Sequence, residues 1–301
     1  MIHVQPKDTH YLGGCTYEIY TPDMTVPAHV VAPEDTLDDL FSDTSLSQLA
    51  NVSTLPGIQP YTWAMPDMHE GYGFPIGGIA ATAIDEGGVI SPGGIGYDIN
   101  CGVRLLVTNL SDDTVNTKRE DLAHKLNQVI PSGPGNTSSL KLSKKNLERV
   151  LAEGPHALHA WGYAEDDDIT FCENTGVMEE GTPDAVSEKA KDRGKNQLAT
   201  LGSGNHFLEI QKISDMYDTE TAEQFGLHPD MITVMIHSGS RGLGHQVCTD
   251  YVQTMVHKMD SWGINLPDPA LACAPLSAPL GQRYYQAMSA AANFAWANRQ
   301  A

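Results

Sequence analysis

Met231-Ile-Thr-Val-Met-Ile236 is the stretch on which the fold turns. It is a short apolar run rich in β-formers, bounded by Pro229-Asp230 before it and Ser238-Gly239 after it. That pattern predicts a buried strand, and it leaves His237 at the strand's C-terminal edge. Helical periodicity surrounds the strand on both sides. Leu122, Leu126, Val129 and Ile130 are spaced as one helical face, which predicts a helix over 117–130 with Thr117 as N-cap and Glu120 at the capping-box position. A second helix is expected over 144–153. A third runs from Ser277 to Ala301 with Leu280, Tyr284, Ala287, Ala291 and Phe294 on one stripe. It has no C-capping glycine, and a helix that meets the terminus uncapped predicts an interrupted chain.

The remaining stretches read differently. The first sixty residues mix short apolar runs with turn residues (Leu12-Gly-Gly, Pro22-Asp, Pro27), giving short strands and loops. From Gly71 to Gly102 glycines punctuate short Ile, Ala and Val segments, a texture of tight turns and close backbone approach. Residues 155–200 are polar and irregular, expected as a surface excursion followed by a Lys-rich helix. There is no internal repeat. Strands with intervening helices predict an α+β fold, a mixed β-sheet core with flanking helices.

Composition narrows the function classes. At 301 residues and 41% hydrophobic content the chain can bury a sizeable core. No run approaches the roughly 18 apolar residues of a membrane span, and Met1-Ile-His-Val-Gln-Pro lacks a leader pattern. The expected location is cytoplasmic, with no membrane partner. Cys15, Cys101, Cys172, Cys248 and Cys273 are scattered and form no CxxC pair, against both a disulfide framework and a zinc ribbon. The formal charge of −20 opposes a basic coat for nucleic acid. Acidic runs such as Glu165-Asp-Asp-Asp168 read as a solvated face. The local exception is Lys189, Lys191, Arg193 and Lys195, with two readings open: a phosphate-holding patch or an ordinary exposed helix.

Four blocks concentrate metal-capable side chains among glycines: Pro66-Asp-Met-His-Glu-Gly-Tyr-Gly73, Gly96-Tyr-Asp-Ile-Asn-Cys-Gly-Val-Arg104, Leu201-Gly-Ser-Gly-Asn-His-Phe-Leu-Glu209 and Ile236-His-Ser-Gly-Ser-Arg-Gly242. Each residue alone has a plainer reading. Cys101 can be a packed small hydrophobe, Asp98 a turn cap, either histidine a hydrogen-bonded structural residue, and Asp67 with His69 a brace for a strained loop. Together, Asp98, Cys101, His206 and His237 supply the mixed oxygen, sulfur and nitrogen donors of a transition-metal site.

In order and internal spacing these blocks resemble the signature blocks of the RtcB family of RNA ligases, over roughly residues 60–110 and 190–301. The resemblance implies one RtcB-like catalytic domain across 1–301, with the family's C-terminal portion absent. It implies a GTP- and manganese-dependent ligase that joins RNA 3′-phosphate or 2′,3′-cyclic phosphate ends to 5′-hydroxyl ends through a histidine–GMP intermediate, in tRNA splicing or RNA repair. Its partners would be RNA (tRNA halves or broken ends) and GTP, with an activating protein unidentified. Carried over by position, Asp98, Cys101 and His206 would bind one manganese ion, and Cys101 would bridge to a second held also by His237. Asn205 would lie against the nucleotide phosphate, Glu209 would contact guanine, and Arg241 would hold an RNA phosphate or the developing charge. Asp67 would line the same cleft. Manganese itself comes from the resemblance, since Mn²⁺ binds nitrogen and sulfur donors more weakly than Zn²⁺ does.

Two departures from the family pattern stand out. Its nucleotide-accepting histidine and one further metal-binding histidine have no counterpart before Ala301, and neither His69 nor His245 matches the acceptor position. Ala199 occupies a position where the family often has glycine. Two other readings of the same cleft are a dinuclear metallohydrolase of phosphate esters and a non-catalytic RNA-end-binding fragment.

Overall fold

The computed structural model describes residues 1–36 and 38–301. The chain divides into two compact units, Met1–Tyr97 with Cys248–Gln286, and Asp98–Val247 with Ala287–Ala301. Both mix strands with helices, as expected of an α+β chain.

The first unit is built on β1 (Thr9–Gly13), β2 (Thr16–Ile19), β3 (Ala28–Val31), helix α1 (Ser45–Val52), β4 (Thr62–His69) and β5 (Ile76–Ile79). The strands form one sheet in sequence order. Only β3 and β4 pair in parallel, with His29 opposite Trp63, and α1 supplies part of the crossover between them. Strand alternation turns Ile19, Ala28, Val30 and Ala64 into a core cluster, into which α1 lays Leu46, Leu49 and Ala50. Fully burying a leucine such as Leu49 stabilises by about 1.5–3 kcal/mol. Three polar residues of α1, Ser45, Gln48 and Asn51, are buried too. Gln48 donates to the Gly71 carbonyl (2.7 Å) and accepts from the Gly71 amide (3.0 Å), which fixes the first glycine-rich block. A second cluster gathers Val52, Leu55, Val89, Ile264, Leu271 and Cys273. It includes the short strand β6 (Val89–Ile90), which is followed by helix α2 (Pro92–Ile95).

The second unit opens with β7 (Gly102–Ser111) and continues through α3 (Asp112–Asn116), α4 (Arg119–Val129), α5 (Lys144–Glu153), α6 (Pro155–His159), α7 (Asp166–Thr170) and α8 (Glu188–Gly194). After these come β8 (Phe207–Lys212), α9 (Thr219–Gln224), β9 (Met231–Ser238) and α10 (Arg241–Val256). The first unit takes up the chain again from Cys248 within α10 to Gln286 and includes β10 (Ala274–Pro275), antiparallel to β6, while α11 (Pro279–Gln300) belongs to the second unit from Ala287 on. The order β7-β9-β8 makes the expected strand the centre of an antiparallel sheet. Its register sets Val103, His237 and Phe207 in one cross-strand row and Leu105, Met235 and Glu209 in another row on the same face.

Several expectations need correction. β9 is buried at Ile232 and Thr233 but only half-buried from Val234 to His237, and Val103 and Leu105, opposite His237 and Met235 on β7, are themselves exposed. Thr117 does not cap α4: it is the C-cap of α3, where its hydroxyl donates to the Thr114 carbonyl, and Lys118 takes the N-cap place without a side-chain cap bond. The final helix buries far more than one stripe. From Ala287 to Arg299 every residue is buried, because its alanines and serine let surrounding chain approach on all sides. Ala199 has φ +60°, the left-handed backbone for which glycine is suited.

Candidate metal centre and phosphate-binding residues

Three blocks of the second unit come together at the start of β7 and the end of β9. Asp98 and Cys101 sit on a tight turn closed by the Cys101 amide donating to the Asp98 carbonyl (2.9 Å), with Asn100 at φ +56°. The third block places His206 just before β8, and the fourth places His237 one residue from the end of β9. Two glycines permit the approach. A side chain at Gly239 would fall 2.5 Å from the Asp98 carboxylate, and one at Gly202 would overlap the Arg241 guanidinium.

Asp98, Cys101 and His206 each present a donor atom, all within 4.8 Å of one another. The Asp98 carboxylate lies 2.7 Å from His206 Nε2, and the Cys101 sulfur lies 3.3 Å from the same nitrogen. His237 Nε2 reaches that sulfur at 3.2 Å. The other ring nitrogen of His206 lies 2.9 Å from the Leu201 carbonyl, which holds Nε2 toward the cluster as metal-binding imidazoles require. Asp98 is held in turn by the Ser240 hydroxyl (3.1 Å) and the Arg241 amide (3.2 Å), both donating to Oδ1. The donor set fits a divalent ion: three donors of different chemistry converge, their outer partners are in place, and coordination positions remain for water or a phosphate oxygen. The Cys101 sulfur lies within 3.3 Å of both imidazole Nε2 atoms.

The electrostatics follow the geometry. Burial raises the pKa of Asp98, but hydrogen bonds from His206 and Ser240 outweigh it and hold the carboxyl below its ordinary value. The Cys101 thiol is pushed up to about 12, first by burial and then by the Asp98 charge. Burial and the neighbouring His206 pull His237 below the usual imidazole value, favouring its neutral, metal-binding form. A bound cation would reverse the logic at Cys101, because metals deprotonate the thiol they ligate.

Arg241 lies against this cluster at φ +56°, with Nη1 3.0 Å from His206 Nδ1 and Nε 3.4 Å from the Thr200 hydroxyl. Asn205 is exposed at the tip of the third block, where its side chain favours the Cys101 thiolate. Glu209 is exposed on the same sheet face as His237. Asp67 belongs to the first unit, on β4, where its backbone carbonyl lies 2.8 Å from His69 Nδ1. The basic run is the Lys-rich helix α8 and its exit, and three of its four cations have partners in the chain. Lys191 is buried between Glu188 (3.2 Å) and Glu148 (3.5 Å), Lys195 pairs with Asp192 (2.8 Å), and Arg193 donates to Gln246 (3.0 Å). That favours the reading as a structural helix face.

The profile of the family described as tRNA-splicing ligase RtcB matches residues 48–301. The chain belongs to the RtcB family. It is 47% identical over 281 residues to tRNA-splicing ligase RtcB of Archaeoglobus fulgidus, covering 93% of this chain and 58% of that protein. It is 50% identical over 279 residues to the namesake of Pyrobaculum aerophilum, covering 92% and 57%. To RNA-splicing ligase RtcB of Mycobacterium tuberculosis it is 47% identical over 255 residues, covering 84% and 59%. The chain thus spans a little under three fifths of the length of these RtcB relatives.

Sequence reasoning missed several residues that support the RtcB blocks. Ser240, inside the fourth block, was given no role, yet its hydroxyl donates to Asp98. Asn298 and Arg299 stood outside the apolar stripe of α11, yet both are buried against the loops that carry the donors. The signal was present: an Asn-Arg pair on a helix otherwise made largely of small and aromatic side chains.

Proposed function

We propose that this chain is the metal- and nucleotide-binding part of an RNA ligase of tRNA splicing or RNA repair, joining 3′-phosphate or 2′,3′-cyclic phosphate ends to 5′-hydroxyl ends with GTP and Mn²⁺. One catalytic domain over residues 1–301 and a cytoplasmic location are part of this reading. The observation that carries it is the convergence of Asp98, Cys101 and His206 within 4.8 Å, with the Arg241 guanidinium 3.0 Å from His206.

Asp98, Cys101 and His206 would hold one Mn²⁺, and Cys101 with His237 would contribute to a second. Bound there, the ions supply charge neutralisation and Lewis acidity for phosphoryl transfer. Arg241 offers a planar fork to an RNA phosphate at the edge of the cluster. Asn205 reaches the nucleotide phosphate, and the Glu209 carboxylate accepts from the N–H edge of guanine, a pairing that adenine cannot offer. Asp67, on β4 of the first unit, belongs to this reading as a catalytic residue. This division of labour accounts for RNA binding by a chain of net charge −20, because local cations and metal reverse the field at one place only.

Calorimetric titration of the 301-residue chain with Mn²⁺ tests the reading, with His206→Ala as the comparison. Saturable binding lost in the variant supports it, and equal binding in both sinks it. Incubation with α-labelled GTP should leave the chain without covalent GMP, since no histidine here matches the family's acceptor. Hydrolysis of an RNA 2′,3′-cyclic phosphate without GTP would instead favour the metallohydrolase. RNA-end binding without either activity would favour the non-catalytic fragment.

A further inference from the structure

The last turn of α11 is the place where an unassigned pair of residues meets all three donor-bearing segments of the second unit. Arg299 is 7% exposed and, among the described residues, makes no ion pair. Its Nη1 donates to the Asn100 carbonyl and to the Ser238 carbonyl, each at 2.7 Å, and its Nη2 donates to the Asn100 side-chain oxygen at 3.0 Å. Asn100 precedes Cys101 and Ser238 follows His237, so one guanidinium spans the backbones beside two donors. Asn100 is also tied to α11 by donating its Nδ2 to the Ala292 carbonyl (3.0 Å).

Asn298, 5% exposed, does the same for the third segment. Its side-chain oxygen accepts from the Thr200 amide (3.2 Å), and its Nδ2 faces the Thr200 carbonyl, the Ser238 hydroxyl and the Gly239 carbonyl, each at 3.1 Å. Ser238 passes the restraint on by donating to the Leu201 carbonyl at 2.7 Å, the carbonyl that lies 2.9 Å from His206 Nδ1.

The geometry points to Asn298 and Arg299 as positioning residues of the metal centre, which lock the segments bearing Asp98, Cys101, His206 and His237 into one register. The inference rests on the metal reading of those donors. A buried cation without a carboxylate is costly unless oxygens solvate it, and here the solvating oxygens belong to the turns that the site must hold. Arginine is specific to the task. Its planar fork reaches two carbonyls and a side-chain oxygen together, whereas the point charge of lysine cannot occupy all three directions. The contacts of Arg299 lie one residue from Cys101 and His237, where a small displacement changes the bite of the cluster. Residues acting in this outer position typically change metal affinity by about 10–100-fold.

Titration of the 301-residue chain with Co²⁺, followed by its d–d bands and its thiolate-to-cobalt charge-transfer band, provides the test. In Arg299→Lys and in Asn298→Leu the Co²⁺ affinity should fall about 10–100-fold, with shifted d–d bands and a weakened charge-transfer band. Ala295→Gly, which loosens the same helix but keeps both side chains of the pair, should keep the parental affinity and spectrum. Parental behaviour in both clamp variants overturns the inference, and so does an equal loss in Ala295→Gly. Should Arg299→Lys fail to fold, Asn100→Gly decides. It suits the left-handed turn and removes both side-chain ties, so a parental spectrum there together with a parental spectrum in Asn298→Leu overturns the clamp. A parent chain that binds no Co²⁺ overturns the metal reading and the clamp with it, whereas binding by the parent with unchanged clamp variants overturns the clamp alone.

Discussion

In the five-stranded sheet, Ala28, Val30 and Ala64 are buried in one cluster with Leu46 and Leu49 of α1, while in the three-stranded sheet Val103, Leu105 and Val107 of β7 are exposed beside His237, Phe207 and Glu209. Strand alternation generates both faces. In the first sheet one face is taken up by packing, whereas in the second the face that carries His237 and Glu209 stays open. Loss of a side chain should therefore be felt as lost stability in one sheet and as lost binding in the other.

That contrast can be broken or sharpened by experiment. Leu49→Ala, at a fully buried position of the first unit, should destabilise by about 2–5 kcal/mol, read from the denaturant midpoint. A loss under about 1 kcal/mol would mean that α1 is not the anchor described. In the second unit, Cys101→Ala should weaken Mn²⁺ binding by about a hundredfold or more, roughly 2.7 kcal/mol, while Cys172→Ala binds as the parent does. Equal affinities for the two variants would remove Cys101 from the centre.

The pH dependence of binding tests the same thiol. Because Cys101 is pushed up to about 12, the metal-free chain keeps its proton across the neutral range, and a metal that takes the thiolate must release it. Affinity should rise with pH, about tenfold per unit between roughly pH 7 and 9, and a flat profile would argue that the sulfur is not a ligand. The smallest effect concerns Ala199, whose φ of +60° strains a non-glycine residue. Ala199→Gly should stabilise by about 0.5 kcal/mol, the relief of left-handed strain less the added freedom of the unfolded chain. A lower denaturant midpoint would contradict it.

What was legible in the sequence depended on whether the signal was local. β9 could be read because β-formers and flanking turns act over a few residues, and the four blocks because glycines and donors are adjacent in the chain. The cap of α4 was misread because Asp112 and Asp113 open a separate short helix, which uses Thr117 at its end. The exposure of β7 and the burial of α11 on all sides depend on what lies across the fold, which periodicity does not record. Asn298 and Arg299 escaped for the same reason: their partners are 59–199 positions away in sequence.

The register of β7, β9 and β8 has an evolutionary consequence. His237 faces Phe207 across the ladder, and Glu209 stands two positions further along β8 on the same face. Adding or deleting one residue between Phe207 and Glu209 would turn one of the two to the opposite face. Drift by insertion or deletion is therefore closed in this part of the chain, while substitution at 209 stays open. Substitution can exchange the side chain on that rung, but the ladder holds its interval from His237 fixed.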